Sequence, residues 1–122
     1  MSERMEKGRA ALIGAGILGV AGVSAAALSA HAGSDPRLMS AAALVCLTHA
    51  PALLALGLSG RRDLMLRLAA LLLFVGAAMF ASDMALREFG YGRLFAMAAP
   101  SGGIAMMAGW LLAAVSAFTK AG

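Results

Sequence analysis

The chain has 122 residues, of which 61% are hydrophobic and 13% charged, where a soluble domain carries about 25% charged residues. That composition excludes an ordinary water-soluble globule. The net charge of +4 does not point to nucleic acid either, because the ten Lys and Arg stand at the ends of apolar stretches rather than on one face; no nucleic-acid partner is expected, and the bilayer is the expected surrounding.

The charges fall in five places and leave four apolar stretches between them, residues 10–30, 38–60, about 64–84 and 94–119. A hydrocarbon core ~30 Å thick is crossed by about 20 helical residues, so each stretch is long enough. The third admits Arg67 near its start and Asp83 near its end. The expected architecture is an all-α integral membrane protein, a single domain over residues 1–122 with four transmembrane helices in a compact bundle, about 10–31, 38–59, 64–86 and 95–119.

The first stretch follows Arg4, Lys7 and Arg9 and ends on Ala30-His31-Ala32, the outline of a secretory signal peptide with a small-x-small cleavage site. Its 21 apolar residues exceed the usual length of such a region, so it is expected to be retained as a span. Ala15, Gly19, Gly22 and Ala26 fall at i, i+4, i+7 and i+11 on one helical face, where a second helix could approach closely. The connection through Ser34-Asp35-Pro36 breaks the helix. The second stretch contains Cys46, which has no second cysteine to bond and reads as a small buried hydrophobe. It also holds His49 near its middle and Pro51, which cannot donate an N–H to the carbonyl of Leu47.

Gly60-Arg61-Arg62-Asp63 reads as a short turn, with Arg67 able to extend its head back to the same surface. Asp83 closes the third stretch and precedes Arg87 by four residues, the favourable order for a helical ion pair. Gly90 and Gly92 mark the next turn. Within the last stretch Pro100 suits a first helical turn, which would start the helix properly near Ser101 and leave 94–99 as a short interfacial segment; Gly102 and Gly103 permit close approach, and Trp110 stands near the centre with an indole N–H that needs an acceptor.

Orientation follows from the basic residues. Arg4, Lys7, Arg9, Arg61, Arg62, Arg67 and Lys120 lie on one side and Arg37, Arg87 and Arg93 on the other, so the positive-inside rule places both termini in the cytoplasm. Phe89, Tyr91 and Phe95 cluster where an aromatic belt would meet the opposite interface.

No Ser/His/Asp order, CxxC spacing, phosphate-cradling glycine loop or paired catalytic carboxylates is present, so an enzyme is not expected, nor a cofactor or a metal. His49 is the sharpest candidate: an ionisable residue at such depth faces the bundle interior and often marks function. It is expected neutral, with both ring nitrogens bonded among Thr48, Cys46, Trp110 or backbone carbonyls, either as a structural residue tying helices together or as a station for protons or ligands. His31 and Asp83 should reach the same leaflet, where a His–Asp contact is open to them, the alternative being that Arg87 satisfies the Asp83 charge locally. One Asp with one or two His is a thin metal site. The nine methionines are spread along the chain and read as adaptable packing.

The segments Ala26-Ala27-Leu28-Ser29-Ala30-His31, Thr48-His49, Phe80-Ala81-Ser82-Asp83 and Pro100-Ser101-Gly102-Gly103 followed by Gly109-Trp110 resemble the domain-of-unknown-function 423 family, small bacterial inner-membrane proteins with a mitochondrial relative. The resemblance spans nearly the whole chain. It implies the four-span architecture and an inner-membrane location, and flags His31, His49, Asp83, Gly102, Gly103 and Trp110, but implies no substrate. The family usually has glycine where this chain has Ala26 and Ser29, and often Ser-Gly in place of Ala81-Ser82, so looser packing is expected at that end of the first helix. The functional expectation is a non-enzymatic accessory or assembly subunit acting by helix packing, with a membrane-protein partner or a second copy. The alternative is a proton, metal or small-solute pathway through His49.

Overall fold

Each apolar stretch becomes one helix, because in lipid a backbone N–H finds no partner other than its own chain. In order these are α1 (Glu3–His31), α2 (Pro36–Leu58), α3 (Leu64–Glu88) and α4 (Ala98–Val115), the last continued by a 3-10 turn over Ser116–Phe118. The computed structural model describes residues 3–31, 36–61 and 63–119, with side chains from Gly8 onward. The first connection at 32–35, Arg62, Lys120 and the side chains of Arg4 and Lys7 lie outside the described residues.

All four helices are long and apolar enough to cross a membrane, and at most 33% of any span's apolar window is buried within the chain. Ile17, Val20, Val23, Leu44, Leu71 and Leu111 all face outward. A soluble monomer does not expose apolar area on this scale. The chain is a multi-pass membrane protein.

Two antiparallel hairpins make up the bundle. α1 packs along α2 and α4 along α3, while α2 and α3 form the seam between the hairpins and α1 meets α3 only marginally. One core cluster, Ala15, Leu18, Cys46, Leu53, Leu73, Ala77 and Met106, draws on every helix. A second gathers Ala25, Met39, Ala42, Ala43 and Met84 nearer the end that carries His31 and Asp83. Small residues set the hairpin spacing. A Cβ on Gly8 would run into the backbone of Gly57, and one on Gly76 would stand 2.6 Å from the carbonyl oxygen of Gly102.

The face that α1 turns to α2 is rotated from the one expected. Ala15 is buried, and a Cβ on Gly22 would lie 2.6 Å from Leu47 Cγ. Gly19, in contrast, has nothing within 4 Å of where its Cβ would stand, and Ala26 is exposed. The buried line runs Ala15, Leu18, Gly22 and Ala25, spaced +3, +4 and +3 where the expected face was spaced +4, +3 and +4, so Leu18 and Ala25 replace Gly19 and Ala26 on the side that meets α2. Further along, Ser29 Oγ lies 2.7 Å from Ser40 Oγ, so the end of α1 where looser packing was expected is tied to α2 by a hydrogen bond.

The connection between α3 and α4 is built as its glycines indicate. Gly90 adopts φ +86°, and Tyr91 N–H donates to Leu86 O at 2.8 Å while Gly90 N–H donates to Arg87 O at 3.2 Å. These are the paired bonds of a Schellman motif, in which a left-handed glycine stops the helix. α4 then starts at Ala98, between residue 95, where apolarity alone would begin it, and Ser101, where Pro100 would place it. Met97 just before it is left-handed at φ 69°, which holds Leu94 and Phe95 out of the helix despite their apolar character.

Candidate functional site

His49 lies one turn after Val45 on α2, on the side that meets α4, and is 8% exposed. Its Nδ1 is 2.8 Å from Val45 O, with Thr48 Oγ1 3.1 Å from the same nitrogen. On the other side of the ring, Trp110 Nε1 donates to His49 Nε2 at 3.1 Å. An indole nitrogen is only a donor, so Nε2 must accept, and the proton sits on Nδ1 and is donated to Val45 O. Thr48 places its own hydroxyl proton on Leu44 O at 2.8 Å. The two rings meet edge to face, 5.7 Å between centroids at 61°, a favoured aromatic arrangement.

The chemistry available to this pair is narrow. With Nδ1 donating to Val45 O and Nε2 accepting from Trp110, the ring is fully engaged and ties α2 to α4. Trp110 is itself 47% exposed, its ring lying on the bundle surface and only its N–H turned inward. Replacing His49 by Gln, which retains an acceptor for the indole and a donor for Val45, should leave thermal stability in detergent within about 0.5 kcal/mol of the parent. His49→Leu should cost about 1 kcal/mol, the typical worth of an interhelical bond in a membrane protein. Equal losses for Gln and Leu would show that the Trp110 bond contributes nothing.

Asp83 is completely buried. Its Oδ2 is 2.8 Å from Arg87 Nη2 one turn along α3, and its Oδ1 accepts the backbone N–H of Leu94 at 2.8 Å. The carboxylate thus pins the connection to the end of the bundle. His31 is exposed at the end of α1, and among the described residues no hydrogen bond or ion pair joins it to Asp83. Of the two partners open to Asp83 in that leaflet, the structure pairs it with Arg87 and not with His31: facing the same surface fixes depth but not direction. Among the described residues no group of three or more His, Cys, Asp or Glu is placed to hold a metal. Gly102 sits at the closest crossing of α3 and α4, whereas Gly103 has open space beside it.

A second polar cluster forms where the sequence suggests only a turn. Asp63 is 6% exposed and ion-paired with Arg61, and both its oxygens lie 3.1 Å from Thr119 Oγ1. Arg61 also donates to Ser116 O at 3.3 Å. Asp63 therefore leaves the start of α3 without a side-chain cap and instead fastens the α2–α3 turn to the far end of α4. The available signal was an acidic residue inside a basic turn at the depth where the last span must return.

Polar side chains that pair with one another at mid-span and at the two ends of an otherwise apolar helical bundle define a small four-span integral membrane protein. The chain belongs to the family described as "Protein of unknown function (DUF423)", whose model matches residues 25–103. The match takes in His31, His49, Asp83, Gly102 and Gly103 and stops short of Trp110. Neither the comparison with curated proteins nor that with solved structures found a match.

Proposed function

We propose that the protein is a non-enzymatic accessory or assembly subunit of the bacterial inner membrane, held to a larger membrane complex by helix packing. The observation that carries this reading is the division among its glycines. Gly8, Gly22, Gly57, Gly76, Gly102 and Gly109 are each pressed against another helix of the chain, while Gly16, Gly19 and Gly103 have nothing within 4 Å. The uncovered ones lie on α1 and α4, the helices at the two outer edges. Lipid gives such positions no packing advantage, whereas a partner helix can come close only where side chains are small. The pathway alternative has less support, because the one mid-span histidine already has both ring nitrogens engaged.

Co-purification after gentle detergent extraction tests the reading. The parent should leave the membrane with a larger partner, and Gly19→Leu should lose that partner while keeping its own thermal stability, since the new side chain meets nothing within the chain. A parent that elutes free of other membrane proteins would overturn it.

Seven basic residues against three are expected to hold both termini in the cytoplasm. Cysteine labelling of intact cells should therefore modify a cysteine introduced at Ser34 and spare one introduced after Lys120. A reversed pattern would invert the orientation.

A further inference from the structure

We propose that the cleft between α1 and α3 is a binding site for one anionic phospholipid, taken with its acyl chain between the helices and its phosphate on Arg67 and Arg61. The cleft exists because both helices pack on α2 and hardly touch each other. It has a volume of about 650 Å³ and is walled by Gly14, Ile17, Ala70 and Phe74, with both arginines in its lining. From Gly8 to Ile17 it follows α1 for about 14 Å at ~1.5 Å per residue, so it is a slot along the membrane normal rather than a shallow dent.

An apolar wall alone would not select a ligand here, because a lipid tail is already in surroundings as apolar as Leu or Phe. Selection has to come from the charged end. Arg67 is exposed, and no ion pair or side-chain hydrogen bond of its guanidinium is recorded among the described residues. Arg61 spends its Nη2 on Asp63 and Ser116, so it adds positive charge beside Arg67, whose guanidinium supplies the donors. Among the described residues, Asp63 offsets one of these two positive charges and leaves the other. A planar guanidinium with donors to spare suits a phosphate diester, and the long side chain of Arg67 reaches from within the span toward the headgroup level. A zwitterionic lipid would bring its own cation to the same place and gain less. This site is independent of any partner subunit.

The test is native mass spectrometry of the full-length, delipidated protein in mild detergent, titrated with phosphatidylglycerol or phosphatidylcholine of identical acyl chains. The parent should retain phosphatidylglycerol about tenfold more tightly, the worth of one partly screened charge-assisted hydrogen bond. Arg67→Gln, which breaks no contact recorded within the chain, should bring the two lipids to parity. Ala70→Phe should fill the cleft and lower retention of phosphatidylglycerol with Arg67 still present, and soluble glycerophosphate should not compete. Equal retention of both lipids by the parent, a preference that survives Arg67→Gln, or displacement by glycerophosphate would each overturn the proposal. If Ala70→Phe does not fold, the Arg67→Gln comparison decides alone.

Discussion

Asp83→Ala is expected to lower stability by about 2–4 kcal/mol, read as a shift in unfolding by SDS in mixed micelles. The carboxylate has no exposure and holds two partners at once, Arg87 and the backbone N–H of Leu94. Its removal strands the amide of Leu94 and frees the connection between α3 and α4. Breaking a wholly buried pair costs about 3–5 kcal/mol, but the Arg87 side chain is 33% exposed and can turn to water, which places the estimate below the top of that range. Asp83→Asn keeps an acceptor for Leu94 and should lose only about 1–2 kcal/mol. The Leu94 amide should also exchange its hydrogen faster in the Ala variant. An Ala variant as stable as the parent would show that the connection does not depend on this side chain.

Gly102→Ala and Gly103→Ala, adjacent residues on one helix, should differ sharply. A Cβ on Gly102 would stand 2.7 Å from Gly76 O and 3.1 Å from Phe80 N, and both of these are backbone atoms that can yield only if α3 and α4 separate. The expected loss is about 1–3 kcal/mol, the usual cost of overpacking. Gly103→Ala meets nothing within 4 Å and should be neutral or slightly stabilising, since alanine favours a helix over glycine by up to ~1 kcal/mol. Thermal unfolding of the two purified variants side by side reads the difference. Equal behaviour would mean that the Gly76–Gly102 crossing is not as close as described.

That pair also shows where sequence reading reaches its limit. The four spans were legible because length and apolarity alone decide them, with no need to know which side faces what. Azimuth was not legible. Consecutive helical residues point about 100° apart, and only the position of the neighbouring helix separates Gly102 from Gly103, or Gly22 from Gly19. Depth, by contrast, could be counted, and it placed His49 and Trp110 at one level, where the structure joins them. It did the same for His31 and Asp83, which the structure does not join. The start of α4, at Ala98 between the two bounds that the apolar run and Pro100 suggest, is not legible for a related reason. Leu94 to Met97 read as apolar helix, but a carboxylate eleven residues back captures Leu94 and Met97 turns left-handed, neither of which local composition encodes. The role of Asp63 is hidden from local sequence because its partner Thr119 is 56 residues distant.

Every broad interface in the bundle joins helices that are consecutive along the chain, and this bears on how the protein is made. As the polypeptide leaves the ribosome, α1 and α2 can complete their contact before α3 has been synthesised, so no early span waits in the bilayer for a distant mate. The second hairpin then arrives already matched to itself, fastened at one end by Asp83 and at the other by Asp63. Only the seam remains to be closed, by apolar contact and the bond from Trp110 to His49. Assembly in two self-sufficient halves exposes few unpaired surfaces at any stage of biosynthesis, which is where multi-segment chains most often go astray.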